Sequence, residues 1–259
     1  MRLMINHQTH YQYTALAKNS VQYIKMTPQN NVHQSVLTWA VSVPGETQSQ
    51  FDAFQNVWLT STQRYAYQNL SIMAQGIIDI NPNTKSAIDL NIRPQIFLQP
   101  TESTLCDLEM WAFAQTYVPV INYENLLRLS FELIQKMPYM TYSTSVNTTA
   151  IDAFHHGQGV CQDHSHVFIA MCKALGIPAR YASGYLYVPD QSHLASHAWA
   201  EVYLNQEWHT FDVSNQLYTP SSHIYVAIGR DYWDVAPVRG IREKGGIESM
   251  SSIVQILPC

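Results

Sequence analysis

Residues 157–178 constrain this chain more tightly than any other stretch. Gly157-Gln158-Gly159-Val160-Cys161-Gln162-Asp163-His164 leads into a recurring apolar series: Val167, Ala170, Met171, Ala174 and Leu175. That three-to-four spacing predicts a helix with one buried face. Gly176 supplies its C-terminal stop, and Ile177-Pro178 prevents continuation. Gly157 and Gly159 permit a tight approach to the helix start. Cys161 is thereby placed at the positive end of a helix dipole, beside N–H groups that have no acceptor within the helix. Both effects favour the thiolate, the reactive form of cysteine. The same N–H groups can receive an oxyanion.

A thiolate nucleophile needs a base, and the base needs an orienting partner. Along 197–204, His197, Trp199, Glu201 and Tyr203 fall on one face of an alternating strand, with Ala198, Ala200 and Val202 on the other. Trp208 to Val213 reads as a second strand, and Asn205-Gln206 is the polar turn of a hairpin. A hairpin centred there pairs residues whose numbers sum to 411. Residue 199 then faces residue 212, and His197 shares that face with Asp212. Cys161, His197 and Asp212 are the candidate nucleophile, base and orienter.

These blocks resemble the transglutaminase-like superfamily, within the papain-like cysteine enzymes. The matching text is Gly159-Val160-Cys161-Gln162-Asp163, Ala174-Leu175-Gly176-Ile177-Pro178-Ala179-Arg180-Tyr181 and Ser183-Gly184-Tyr185. It continues through His197-Ala198-Trp199-Ala200-Glu201-Val202-Tyr203 and Trp208-His209-Thr210-Phe211-Asp212. Gly229-Arg230-Asp231-Tyr232 and Asp234-Val235-Ala236-Pro237 look like the tail of bacterial members. His10-Tyr11-Gln12-Tyr13, Met26-Thr27-Pro28, Gln34 to Trp39 and Phe51 to Asn56 resemble the β-rich domain that precedes the core in many of them. The resemblance implies that Cys161 attacks, that His197 acts as base and acid, and that Asp212 orients His197. It implies no cofactor and no metal. His164-Ser165-His166 departs from it, because an apolar helix start is expected there.

The predicted fold is α+β: an N-terminal β-sandwich over residues 1–100, then a papain-like, transglutaminase-like domain over 101–259. Leu37, Trp39, Val41 and Val43 alternate, as do Leu70, Ile72 and Ala74. Turn residues fall at 28–31, 44–45 and 81–83. Pro94 and Pro100 mark a linker. Two helices follow, one with Leu105, Leu108, Trp111 and Ala112 on a face, the other with Leu126, Leu129, Leu133 and Met137. Strands then run from the Cys161 helix to about residue 228.

Charged residues make up 13% of the chain and the net charge is −5, without a basic patch. Nucleic acid and anionic membrane are therefore not expected partners. The N-terminal residues lack the apolar core of a signal peptide. Cysteines 106, 161, 172 and 259 are too dispersed for a disulfide framework. The cytoplasm is the expected compartment, and it keeps Cys161 reduced.

Simpler readings apply to other residues. Cys172 is a core residue, and His193, His209 and His223 are surface or strand histidines. His155, His156, Cys161, His164 and His166 crowd together, yet their spacing suits no closed zinc site. Trp199 reads as core support under the triad, and Arg230–Asp231 as an ion pair. Gln158, Gln162 and Tyr142 are open candidates for a second oxyanion donor. The expected function is cysteine-dependent acyl transfer on a peptide or amide substrate. Peptidase or amidase hydrolysis leads and protein-glutamine transamidation follows. A binding or scaffold module with a vestigial site is the alternative from another class.

Overall fold

The computed structural model describes residues 1–85, 92–189, 191, 193–194 and 196–259, with the backbone alone at His193 and Leu194. The side chain of His193, expected on a surface or strand, lies outside the described residues. The N-terminal strands are β1 (Arg2–Thr27), β2 (Gln34–Ser42), β3 (Glu46–Phe51), β4 (Val57–Gln63) and β5 (Tyr67–Ile80). The turn residues at 28–31, 44–45 and 81–83 fall between or just after these strands. Four helices follow: α1 (Leu108–Tyr117), α2 (Tyr123–Lys136), α3 (Ala150–His156) and α4 (Cys161–Ala174). The chain continues through β6 (Ala179–Leu186), β7 (His193–Leu194), β8 (His197–Leu204), β9 (Glu207–Phe211) and β10 (His223–Gly229). It ends in α5 (Tyr232–Val235), β11 (Val238–Lys244) and β12 (Glu248–Pro258).

The N-terminal β-rich region is one sheet bent into a half-barrel around the long strand β1. Residues 2–12 of β1 pair with β5, and 3–13 with β12. Its later part pairs with β4 and β11. Register breaks between Gln12 and Ala17 and between Lys18 and Val21 let β1 turn between these sets. Tyr13, Ala17, Ile24 and Met26 of β1 then pack with Leu70, Ile72 and Ala74 of β5.

Strands β11 and β12 fall within the span 101–259 but extend this N-terminal sheet. Backbone pairing with β1 assigns them there, which local sequence does not encode. Nor is 94–100 a loose linker. Residues 94–98 form a 3-10 turn, and Phe97 is buried edge-on to Trp208 with ring centroids 5.5 Å apart.

The second sheet has the order β10-β6-β8-β9, all antiparallel. Helix α4 packs on it and is buried along 163–173, on every face rather than one. It is the central helix of the domain. The α2 face is as expected, with Leu126, Leu129 and Leu133 fully buried. The α1 face is not: Met110 and Ala114 point inward, while Leu108 and Trp111 are exposed. Rotation of that helix was set by the neighbours it packs on, since its apolar residues lie all round it. Leu3, Ile5, Ile78, Ile80, Val254 and Ile256 of the half-barrel share a core with Tyr185, Ile224 and Val226 of the second sheet. Each buried aliphatic contributes about 1.5–3 kcal/mol, so this seam holds the sheets together firmly.

Beneath β8 lies a buried ion pair. Arg180 Nε meets Glu201 Oε2 at 2.6 Å, Tyr225 OH donates to Glu201 Oε1 at 2.5 Å, and the guanidinium stacks 3.9 Å from the Trp208 ring centroid. Both ion-pair side chains are fully buried. Glu201→Ala removes the carboxylate from a buried guanidinium and is expected to cost about 3–5 kcal/mol. Urea unfolding midpoints of wild type and variant measure this directly.

Candidate active site

Cys161 opens α4, and the loop before it is tightly held. Gly157 caps α3 in the left-handed region, at φ 71°. Gly159 has no room for a side chain, because a Cβ would lie 2.6 Å from the Asp163 Cβ. Asp163 Oδ2 accepts the Val160 N–H at 2.8 Å and the Thr144 hydroxyl at 2.6 Å. The Met140 N–H donates to Gly159 O at 2.8 Å. The departure at 164–166 is explained by the same locking. The buried His164 ring lies 2.6 Å from Met137 O through Nε2 and 2.9 Å from Val160 O through Nδ1. Ser165 Oγ donates to Cys161 O at 2.7 Å, and His166 Nε2 accepts the Tyr232 N–H at 3.0 Å. Polar groups, rather than apolar ones, pin the helix start to three neighbouring segments. The first-turn N–H groups of Cys161 and Gln162 remain as donors beside the thiol.

Strands β8 and β9 pair as the 411 sum requires: Ala200 faces Phe211, and Leu204 faces Glu207. Asn205 and Gln206 both have positive φ, 53° and 68°, as a two-residue primed turn demands. His197 and Asp212 consequently project together. His197 Nε2 donates to Asp212 Oδ2 at 2.7 Å. Cys161 lines the same cleft as this ring, and Nδ1 is the ring nitrogen that Asp212 does not engage. Trp199 is fully buried and stacked on His197, with centroids 5.9 Å apart, in support beneath the ring.

Two residues that completed this network were not singled out as site residues. His223 is fully buried and donates through Nε2 to Asp212 Oδ2 at 3.1 Å. Asn215 Nδ2 donates to the same oxygen at 2.9 Å. Burial opposes charge on His197, yet the Asp212 carboxylate and the Cys161 contact outweigh it and raise the pKa. Burial likewise opposes the Asp212 carboxylate, but His197 and His223 hold its pKa well below the usual range. Burial keeps His223 itself low.

The remaining candidates disperse. His155 pairs with Asp107 at 2.6 Å, and His156 meets Gln158 at 3.0 Å. His209 contacts Leu204 O. Arg230 pairs with Asp234 at 2.8 Å rather than with Asp231, whose carboxylate caps α5. Tyr142 is fully exposed, whereas Gln162 lines the cleft. Donor atoms of His197, Asp212 and His223 lie within 4.8 Å of one another, so these three are the described residues able to take a metal. A cation there would compete with His197 for Asp212.

The cleft holding Cys161 and His197 encloses about 380 Å³ and includes His7, Thr9, Tyr11 and Ser252 of the half-barrel. A cavity of about 410 Å³ beside Trp39 and Gly76 shares no lining residue with it and has no titratable side chain.

A model of the transglutaminase-like superfamily core matches residues 114–213, and one of the bacterial transglutaminase-like N-terminal region matches 3–79. This chain belongs to the transglutaminase-like superfamily. An uncharacterised Mycobacterium leprae protein is 26% identical over 276 residues, covering 98% of each chain. One from Mycobacterium tuberculosis H37Rv is 27% identical over 273 residues, covering 93% of this chain and 87% of that one. A crystal structure from Cytophaga hutchinsonii, described as a "putative cysteine protease", superposes with a TM-score of 0.79 at 23% identity. It covers 99% of this chain and 90% of the other. The fold of that structure thus extends over nearly the whole of this chain, and the transglutaminase-like family supports a cysteine-dependent enzyme in general terms.

Burial pushes the Cys106 thiol up to about 11 and raises Cys172 further. Iodoacetamide at about pH 6.5 is therefore expected to label Cys161 ahead of both, since only thiolates react. Peptide mapping of the alkylated protein checks the order.

Proposed function

We propose that this protein is a cysteine-dependent acyl-transfer enzyme acting on amide bonds as a peptidase or amidase. The observation that carries the reading is the 2.7 Å His197–Asp212 hydrogen bond, made through Nε2 in the cleft that Cys161 also lines. That arrangement leaves Nδ1 available to take the thiol proton. Cys161 Sγ attacks the carbonyl carbon, and its proton resides on His197. First-turn N–H groups of α4 receive the developing oxyanion. His197 then protonates the leaving amine, and a thioester remains on Cys161. Water, deprotonated by His197, resolves it to a carboxylic acid. Asp212 keeps its negative charge throughout and stabilises the imidazolium.

An activated acyl ester tests this. The expected result is a burst of about one product per chain, then a slower steady rate. If a primary amine increases the steady rate and is incorporated into product, transamidation replaces hydrolysis as the second step. Absence of any burst, together with a rate unaffected by alkylation, would remove the acyl-transfer reading.

A further inference from the structure

The inner face of β1 reads Leu3, Ile5, His7, Thr9, Tyr11 and Tyr13. Leu3 and Ile5 are fully buried aliphatics; His7 and Thr9 come next on that face and are only 2% and 5% exposed. An imidazole and a hydroxyl in such positions destabilise a sheet unless they are hydrogen-bonded, so their presence asks for a use. Both line the cleft with Cys161 and His197.

Their surroundings specify the use. Ser252 stands opposite Thr9 on β12. His7 Nε2 lies 2.9 Å from Ser252 Oγ and 3.3 Å from Thr9 Oγ1, while Nδ1 lies 2.9 Å from Tyr185 OH. Burial alone brings the His7 pKa down to about 4, so the ring is neutral near pH 7, with one donor and one acceptor nitrogen. The hydroxyls beside it can rotate to donate or accept. Across the cleft, Ser183 and Ser196 add further hydroxyls. Among the described residues lining the cleft there is no Asp, Glu, Lys or Arg. A charged side chain resting on this wall loses hydration and meets no Asp, Glu, Lys or Arg of opposite sign there. A neutral hydrogen-bonding one exchanges water for the hydroxyl and imidazole groups.

We propose that His7, Thr9 and Ser252, all supplied by the half-barrel, form the substrate-selecting wall of the cleft. The substrate is a peptide with uncharged, hydrogen-bonding side chains beside the reacting carbonyl. This rests on Cys161 being the acyl-transfer nucleophile.

The full chain is treated with short peptidyl chloromethyl ketones carrying Ser, Glu or Lys next to the electrophile. The Cys161 thiolate displaces chloride and forms a carbon–sulfur bond, which mass spectrometry reads. Each rate is divided by the iodoacetamide rate of the same protein. The Ser probe is expected to exceed the Glu and Lys probes by about tenfold. Ser252 is exposed, so Ser252→Asp is compatible with the fold; it is expected to raise the Lys probe about tenfold over the Glu probe. Equal relative rates for all three probes in wild type would overturn the selecting wall, as would an unchanged Lys-to-Glu ratio in Ser252→Asp. In either case fast iodoacetamide labelling of Cys161 leaves the nucleophile reading standing. Labelling of Cys161 no faster than Cys106 would instead remove that reading and this inference with it.

Discussion

Cys161→Ala is expected to abolish acyl transfer, and His197→Ala to lower kcat by on the order of 10⁴–10⁶-fold. In the proposed mechanism, removing the sulfur removes the atom that carries the acyl group. Removing the imidazole takes away the proton acceptor for attack and the proton donor for departure, two roles filled by one ring. Each tenfold is about 1.4 kcal/mol of transition-state stabilisation. The double variant is expected to fall no further than Cys161→Ala, because nucleophile and base act as one unit. Steady-state rates on an activated acyl ester, corrected for the enzyme-free rate, measure all three. Additive losses would mean that the residues act separately.

Asp212→Asn is expected to lower kcat by roughly 10²–10⁴-fold while the fold persists. The amide still fills the space between His197, His223 and Asn215. It does not balance an imidazolium, and its NH₂ can turn toward a ring nitrogen and select the wrong tautomer. The same change alters stability with pH. The Asp212 pKa is depressed in the fold, so its stabilisation is present above the ordinary value of 3.8 and is lost as pH falls through the depressed value. The His197 pKa is raised, so its share is present below 6.5 and is lost as pH rises through the raised value. Wild type should therefore exceed Asp212→Asn in urea midpoint most between pH 3.8 and 6.5, with the margin narrowing on either side. A difference constant with pH would contradict the charged His197–Asp212 pair.

What could be read from sequence was local or periodic. The hairpin followed from alternation in 197–204 and a polar pair at the turn, and one sum of residue numbers then put His197 and Asp212 on one face. The Cys161 helix followed from apolar spacing and its Gly-Ile-Pro end. What could not be read depends on contacts distant in sequence. His223 meets Asp212 because β10 pairs with β6, a neighbour chosen by the sheet and not by chain order. β11 and β12 reach back more than two hundred residues to β1. The α1 face was misassigned because that helix is apolar on several sides, so only its neighbours decide its rotation. Enclosure of α4 hid the roles of His164 and His166, whose partners Met137 and Tyr232 lie on other segments. The cleft wall did leave a trace: on one face of β1 the residues change from Leu3 and Ile5 to His7 and Thr9. A hydrogen-bonding pair continuing an aliphatic face indicates something polar opposite.

The most direct measurement is the intact mass of the protein after acid quench during turnover of an activated acyl ester, with peptide mapping of the adduct. The account predicts one acyl group per chain, on Cys161, labile to hydroxylamine, absent in Cys161→Ala and formed far more slowly in His197→Ala. An unmodified Cys161 during turnover, or an adduct that forms equally fast without His197, would contradict it.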